Sequence, residues 1–451
     1  MPPTPIGDDP PGNSTPRGWE RVSVLLGLLG LGAVITSTFL LAAGAASRPS
    51  IYVPARSGGW PGWMAGPLEG LDLHLSSTSF QTLTLLMAGG YLLVLLGARM
   101  LPGVAIAGAI LAAHVLLLLG PPLISQDVFG YLAFARLGAL HGLDPYTHVP
   151  AQIAGDPVFD FLGWPFLHSP YGPLFTLGSY LTAPLGVAGG LWALKSLAVA
   201  ASLGAVALVA RAAAKMGRSP RTAAAFLGLN PVLLELAVGG AHNDTLLLVA
   251  LGWALVLSAG TSPRMEAGAR ALVAAVAVKI TAGLALGFLV LAPSQTRQRL
   301  RVAVSAATSL AVVGVLAVVG FGSHALGFLN AVGEQQQMVA THSIPAESAR
   351  LVGLTGTPAW WRHLFILAFL AVLVFSLWRT ARGADWRAAA GWSTLALLVC
   401  TAWLLPWYAV WPLPLAALSR DRRLQVATLF FCAYALLIHL PLADTVLSPK
   451  H

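Results

Sequence analysis

Charged residues and cysteines are both scarce in this sequence. Only 10% of its 451 residues are Asp, Glu, Lys or Arg, whereas 57% are hydrophobic. An ordinary soluble domain carries about a quarter charged residues, so this deficit excludes a typical soluble globular protein. The two cysteines, Cys400 and Cys432, lie inside apolar runs without metal-type spacing. They are typical of small core residues, and a disulfide framework is not expected.

Motifs for nucleotide binding are also missing. The chain contains no Walker-type glycine-rich loop, Rossmann fingerprint or HExxH zinc motif, and no soluble region large enough to bind a nucleotide sugar. This pattern disfavours a nucleotide-dependent reaction and favours a lipid-borne donor reached from within the membrane. The net charge of +9 does not indicate nucleic-acid binding, because the basic residues are dispersed through short loops, where they are typical of topology signals.

Long apolar runs recur along nearly the whole chain. Several reach the roughly 20 residues that a helix needs to cross a bilayer, and they are continuous rather than alternating, which favours helices over barrel strands. We therefore predict an all-α polytopic membrane protein with about 13 membrane helices. Eleven of them are full spans, at about 22–45, 80–98, 102–120, 190–210, 222–238, 244–260, 302–321, 360–378, 388–404, 406–419 and 424–440.

Keeping the basic loops cytoplasmic requires two elements that do not cross the membrane. The segment 170–185 is apolar but short, and we interpret it as a helix at the outer interface. The run 271–291 has basic residues at both ends and Lys279 in its middle, which indicates two short helices that meet near Lys279 on the outer side. The N-terminus is then cytoplasmic and the C-terminus outside.

We predict one membrane-embedded domain, residues 21–441, between two tails. Residues 1–20, rich in proline, are predicted to be a disordered cytoplasmic tail, and 442–451 a short outer tail. The run 22–45 resembles a signal sequence, but its length and the spans that follow favour a retained helix. Two long outer loops remain, at about 121–189 and 322–359, and loops of this length commonly bind something.

A carboxylate stands at the start of the first long loop. Asp127 lies at the predicted membrane boundary and shares a helical face with Tyr131 at i, i+4 spacing. A carboxylate in this place is costly unless it is used or paired, which makes Asp127 a candidate for chemistry. The alternative is a helix N-cap, and the two roles can coexist.

Aromatic and hydrogen-bonding side chains accumulate in the same loop and in a late segment. This composition is used to stack and hold sugars, although an interfacial aromatic belt has the same composition. Asp144, which precedes a proline, also fits a structural turn. The candidate sugar-binding residues are Tyr131, Asp144, Tyr146, His168, Tyr171, Trp407, Tyr408 and Trp411.

A polar turn between two apolar spans gives candidates for donor binding. Two glycines permit a tight backbone that would direct the next polar side chains into one cavity mouth. A capping turn and a snorkelling lysine are the structural alternatives. The candidate residues are His242, Asn243 and Asp244 in this turn, with Lys279 at the break in 271–291 and Arg350 in the second long loop as candidate phosphate contacts. No cofactor is assigned, and a divalent metal lacks a visible ligand set.

The order of the motifs resembles a known family. The motifs are Ser125-x-Asp127-Val128-x-x-Tyr131, Gly142-Leu143-Asp144-Pro145-Tyr146, Pro170-Tyr171-Gly172-Pro173-Leu174-Phe175, Asn230-Pro231, Gly240-Ala241-His242-Asn243-Asp244, Val278-Lys279 and Pro406-Trp407-Tyr408-x-x-Trp411. Their succession is similar to that of the actinobacterial polyprenol-phosphomannose-dependent α-1,6-mannosyltransferases of the GT-C superfamily. In some relatives His-Asn-Glu stands where this chain has His242-Asn243-Asp244.

The resemblance implies a GT-C fold with Asp127 as the catalytic base. It also implies a decaprenyl-type phosphomannose donor, an α-1,6-linked mannan or lipomannan acceptor, and an active site on the outer face of the plasma membrane. The sugar–phosphate bond would be cleaved with inversion, while Lys279 and His242 offset charge on the leaving phosphate. The alternative within this class of enzymes is a donor that carries another sugar on polyprenyl phosphate, such as glucose, arabinose or aminoarabinose. A lipid or solute transporter is the non-enzyme alternative.

Overall fold

Helices make up all regular secondary structure in the part of the chain that the structure describes. The structure is a computed structural model that describes residues 17–48, 50, 53 and 60–439. In chain order the α-helices are α1 (Arg17–Ala46), α2 (Gly62–Ala65), α3 (Ser77–Gly97), α4 (Gly103–Leu119), α5 (Asp127–Ala139), α6 (Pro173–Ser179), α7 (Gly186–Lys215), α8 (Pro220–Gly228), α9 (Asp244–Leu257), α10 (Met265–Val278), α11 (Gly283–Leu291), α12 (Thr296–Phe321), α13 (Gly327–Gln337), α14 (Ile344–Leu351), α15 (Ala359–Ala381), α16 (Trp386–Cys400), α17 (Leu413–Leu418) and α18 (Arg422–His439).

Several of these helices can cross a membrane by length and composition. Within the described chain, five stretches qualify on their own: Gly18–Ala46, Ser77–Gly97, Pro173–Lys215, Thr296–His324 and Ala359–Ala381. A sixth qualifies as a pair bent by 49°, α8 with the π-helix Val232–Val238. The predicted all-α polytopic class is confirmed. The predicted number of about 13 also counts shorter elements, among them α4, α9 and α11.

The expected break in the run 271–291 is confirmed. The helix α10 ends at Val278, and Lys279 adopts an extended conformation with φ −150° and ψ 121°. A 3-10 turn, Ile280–Ala282, then leads into α11. The segment 170–185 is also helical, as α6 and the 3-10 helix Tyr180–Leu185, and Gly186 with φ 69° separates it from the regular turns of α7.

The single helix expected over 406–419 is not formed. This segment contains a 3-10 helix, Pro406–Val410, followed by the six-residue α17. Pro406, Pro412 and Pro414 explain the difference, because proline lacks the backbone N–H that a continuous helix requires. At the N-terminus, α1 begins at Arg17, so 17–20 are helical, while residues 1–16 of the predicted tail and the tail 442–451 lie outside the described residues.

One hydrophobic core extends through the helices from α1 to α18, and its outer surface is apolar too. The core includes Leu31 of α1 and Leu436 of α18. On the outside, Val319 of α12 is 80% exposed and Leu367 of α15 is 61% exposed. Exposed apolar helices of this kind are suited to lipid rather than to water, since contiguous apolar surface is rare on soluble monomers.

Two buried interactions fix the first long loop, residues 121–189. The ammonium of Lys195 in α7 donates to the carbonyls of Leu117 and Pro121, at 2.9 and 3.3 Å, where α4 ends and the loop begins. Helix-terminal carbonyls lack partners within their own helix, and the lysine supplies one. The loop therefore leaves α4 in a defined direction.

The second interaction is a clamp around Asp156 inside the loop. Arg136 and His141 contact the Asp156 carboxylate at 2.8 and 2.9 Å. Burial raises the pKa of Asp156, but the hydrogen bonds from Arg136, His141 and the Val158 N–H, together with the Arg136 charge, outweigh it and hold the pKa below its usual range. Asp156 is therefore ionised at neutral pH, and the clamp ties the end of α5 to the middle of the loop.

Candidate active site

Two strained turns that lead into the site are bonded to each other. The Leu123 N–H donates to the Gly239 carbonyl at 2.9 Å. Ile124, directly after Leu123, and Ala241, two residues after Gly239, adopt left-handed conformations, with φ of 63° and 55°. This region is uncommon for residues other than glycine and is a genuine outlier for a β-branched side chain such as Ile124. Such conformations persist only where the surrounding structure fixes them.

Asp127 is the first residue of α5, and its side chain faces the site instead of capping the helix. The Asp127 N–H donates to Ser125 Oγ at 3.2 Å, and the N-cap residue Gln126 makes no side-chain hydrogen bond to the helix. Asp127 Oδ2 lies 3.5 Å from His242 Nδ1, and the aspartate side chain is 12% exposed. The carboxylate is thus both contacted by protein and open to a ligand.

Tyr131 lies one helical turn after Asp127 and is buried behind it. Its hydroxyl donates to Asn243 Oδ1 and accepts from the Asn243 N–H, both at 3.4 Å. Burial raises the pKa of Tyr131 well above its ordinary value, so the phenol stays neutral. These contacts join α5 to the turn that precedes α9.

Asp244 and Lys279 form a buried ion pair. Lys279 Nζ lies 2.9 and 3.1 Å from the two carboxylate oxygens of Asp244, which is fully buried. The Trp411 indole N–H also donates to Asp244. The ammonium lies 4.5 Å from the Tyr408 ring centroid and 5.2 Å from that of Trp411, within the range of cation–π attraction. Pairing of this kind offsets the cost of removing both charges from water.

His242 is fully buried and stacks on an aromatic side chain. Its ring lies 3.9 Å from the Trp407 ring, with an interplanar angle of 23°. Among the described residues, three buried nitrogens here have no hydrogen-bond partner: His242 Nε2, Asn243 Nδ2 and Trp407 Nε1. Stacking therefore fixes the plane of the imidazole while its Nδ1 faces Asp127.

A cavity of about 1070 Å³, including its open mouth, lies in front of these residues; we call it the chamber. The predicted site residues on its wall are Asp127, His168, Tyr171, Lys279, Tyr408 and Trp411. His168 Nδ1 lies 3.0 Å from Glu334 of α13 and so joins the first long loop to the second, 322–359. The chamber therefore combines a carboxylate, a cation and several aromatic faces.

Five further predicted residues form a layer behind the chamber wall: Tyr131, His242, Asn243, Asp244 and Trp407. None of them lines the chamber, but each contacts another residue of the site, as described above. These five side chains could contact a sugar or the donor only if the chamber wall rearranged. In the structure they contact one another and residues of the wall instead, Asp127 and Lys279 among them.

Three predicted residues lie away from the chamber: Asp144, Tyr146 and Arg350. Asp144 Oδ1 accepts the Tyr146 N–H at 2.8 Å, which is the turn anticipated as its structural alternative. Tyr146 is buried in a small cluster of its own. Arg350 lines a different cavity and donates to the Thr341 carbonyl at 2.8 Å and to Glu347 at 3.0 Å.

The sequence did not single out Thr281, Thr401 and Trp403, which also line the chamber. Thr281 follows Lys279 by two residues, so the predicted helix break at Lys279 could have identified Thr281 as a residue of the site. Trp403 packs edge-on against Trp164, with ring centroids 5.6 Å apart, and its position before Pro406-Trp407 gave a weaker signal. Among the described residues no group of three or more His, Cys, Asp or Glu side chains could hold a metal ion.

Removing one partner of the Asp244–Lys279 pair is expected to destabilise the protein strongly. Asp244→Asn or Lys279→Met alone leaves a buried charge without its partner, a loss of about 3–5 kcal/mol. The double variant removes both charges and should recover a large part of that loss. Thermal unfolding in detergent of the wild type, the two single variants and the double variant, treated as a double-mutant cycle, measures the coupling between the two charges.

The exposed pair of Arg48 and Glu69 provides the control. Its two side chains are 43% and 38% exposed, so Arg48→Met should change stability by about 1 kcal/mol or less. If the effects of Asp244→Asn and Lys279→Met simply add, the two charges are not coupled and the pair does not stabilise the site.

Comparison with known proteins places these features in a family. Residues 24–295 match the family described as alpha-(1->6)-mannopyranosyltransferase, N-terminal domain, and residues 352–450 match the MptB C-terminal domain. The first match contains the segments that carry Asp127, His242, Asp244 and Lys279. No solved structure matches the chain.

Individual relatives agree with this match. The chain is 32% identical over 383 residues to alpha-(1->6)-mannopyranosyltransferase A of Mycobacterium tuberculosis, which covers 77% of this chain and 72% of the relative. Alpha-(1->6)-mannopyranosyltransferase A of Corynebacterium glutamicum is 33% identical over 182 residues, 39% of this chain and 36% of its own. Alpha-(1->6)-mannopyranosyltransferase B of the same organism is 30% identical over 163 residues, which cover 34% of this chain and 26% of that relative.

Proposed function

Since the chain belongs to the alpha-(1->6)-mannopyranosyltransferase family and is a membrane mannosyltransferase, we propose that it moves mannose from polyprenyl-phosphomannose to an α-1,6-linked mannan or lipomannan acceptor. The observation that carries this proposal is that Asp127 and Lys279 line one chamber. A proton acceptor and a cation are the two groups that the displacement of a sugar from a phosphate requires.

The reaction needs one displacement at the anomeric carbon. The acceptor hydroxyl oxygen attacks that carbon on the face opposite the phosphate, the bond to the phosphate oxygen breaks, and the configuration inverts. Asp127 takes the hydroxyl proton, and the polyprenyl phosphate leaves as an anion. Lys279 offsets the negative charge that grows on the leaving oxygen. Because the bond to the phosphate supplies the driving force, no nucleotide is required.

The layer behind the wall supports this assignment of roles. His242, at 3.5 Å from Asp127 and stacked on Trp407, is placed to hold the base carboxylate. Asp244 pairs with Lys279 and keeps its ammonium beside the chamber. The aromatic rings of Trp164 and Tyr171 offer faces on which sugars stack.

The proposed function is tested with purified protein and two labelled donors. Polyprenyl-phosphomannose should transfer its sugar to a short α-1,6-mannoside, and polyprenyl-phosphoglucose should not. Chromatography of the labelled products measures both reactions. Preferential transfer of glucose would show that mannose is not the sugar that the enzyme transfers. Binding of the donor without transfer of either sugar would favour a transporter.

Asp127→Asn should abolish most of this transfer. The amide keeps the size of the side chain but cannot accept the proton, so the rate should fall about 100-fold or more while the melting temperature changes little. Asp160→Asn, an exposed acidic residue of the same loop, is the matched control and should leave the rate unchanged. Near wild-type transfer by Asp127→Asn would mean that the base is another residue.

We further place the chamber at the outer face of the plasma membrane, with the N-terminus cytoplasmic, because this arrangement keeps the basic loops inside. In a protein whose native cysteines are replaced, Asp160→Cys should react with an impermeant thiol reagent in intact cells. Arg218→Cys should react only after the cells are permeabilised. Labelling of position 218 from outside would invalidate this topology.

A further inference from the structure

A second, apolar cavity lies beside the chamber; we call it the slot. Counted with its openings and the gaps between atoms it measures about 370 Å³, and its walls come from α9, α10, α11, α16 and α17. Eight of its eleven lining residues are leucine or alanine, and none of the eleven is charged. Representative residues are Leu247 of α9, Leu272 of α10 and Ala285 of α11, all buried. A cavity of this composition accepts hydrocarbon and excludes polar groups.

The slot and the chamber are adjacent. Thr281, Leu397 and Trp411 line both cavities, so a ligand that occupied both would lie against these three residues. Trp411 is also the residue whose ring lies 5.2 Å from the Lys279 ammonium. The cation therefore stands where the polar cavity meets the apolar one.

Thr281 adds a hydrogen-bonding group at the same junction. It belongs to the 3-10 turn that follows the break at Lys279. Its Oγ1 atom is buried and has no hydrogen-bond partner within the described ranges. A buried hydroxyl without a partner is costly, and a phosphate oxygen is an acceptor that would satisfy it.

A third cavity, of about 190 Å³, provides a comparison. It is lined by residues of α7 and by the backs of Tyr131 and His242, among others. It shares no lining residue with the chamber, because Tyr131 and the layer behind the wall stand between them. The slot therefore borders the chamber, and this third cavity does not.

We propose that the slot receives the isoprenoid chain of the lipid-phosphate donor, and that Lys279 and Thr281 hold its phosphate at the junction with the chamber. This inference rests on the proposed function, which supplies the donor class. The sugar then lies in the chamber beside Asp127. The slot accommodates only the part of the chain next to the phosphate, and the remainder continues among the membrane helices.

Photolabelling tests the path of the chain without requiring turnover. The probe is a polyprenyl phosphate with a diazirine on an isoprene unit near the phosphate, bound to wild-type protein in detergent and located by mass spectrometry. Labelling should fall on α11 or α16 and should disappear with an excess of unlabelled polyprenyl phosphate. Labelling of α7 around Ala198, or only of the lipid-facing helices α12 and α15, would overturn the inference.

Two variants test the same path by kinetics. Ala285→Phe fills the slot and should raise the KM for the polyprenyl donor about tenfold, with the KM for the acceptor unchanged. Ala198→Phe fills the third cavity and should leave the donor KM near the wild-type value. If Ala198→Phe raises the donor KM and Ala285→Phe does not, the chain takes the other route and the inference fails.

The hydroxyl at the junction is tested by a pair of substitutions. Thr281→Val keeps the shape of the side chain and should raise the donor KM by about threefold to tenfold, as expected for one lost hydrogen bond. Thr281→Ser should restore it, whereas equal effects of both variants would argue against a phosphate contact. Labelling in the slot by a protein that transfers no mannose would refute the proposed function alone, and transfer with labelling elsewhere would refute this inference alone.

Discussion

The Asp244–Lys279 ion pair is the interaction on which the rest of the site depends. It joins the beginning of α9 to the break between α10 and α11, and the Trp411 indole extends it to the segment around Pro406–Val410. All three places interrupt regular helices. Non-helical backbone inside a membrane protein is tolerated only where protein covers it or where it lines a cavity. The pair and the indole hold these three interruptions together beside one chamber.

The two carboxylates of the site have different surroundings and so can have different tasks. Asp244 is fully buried and bonded to both an ammonium and an indole, so both of its carboxylate oxygens already have protein partners. Asp127 is partly exposed in the chamber, and the ion-pair contact that its carboxylate makes within the described part of the chain is a long one, 3.5 Å to His242. The short side chain of Asp244 reaches Lys279 at 2.9 Å, which completes the ion pair.

Much of this arrangement could be predicted from the sequence because it follows from local physical constraints. Basic residues at both ends of an apolar run required the break at Lys279, and the carboxylate at the end of a span identified Asp127. The differences came from effects beyond the local pattern. The prolines of 406–419 outweighed its apolar length, and a loop sequence does not reveal that Arg350 lines a different cavity from the chamber. The slot could not be foreseen, since its walls come from five helices whose packing only the folded chain defines.

The left-handed residues Ile124 and Ala241 have a consequence for how the enzyme meets its substrate. Each costs on the order of 1–3 kcal/mol, a strain that the folded protein sustains before any ligand arrives. Each stands just before a segment of the site, and the bond between Leu123 and Gly239 holds the two turns together. The directions of α5 and α9 are therefore set during folding. Binding energy from the donor and acceptor need not be used to order these loops, and it remains available for stabilising the transition state.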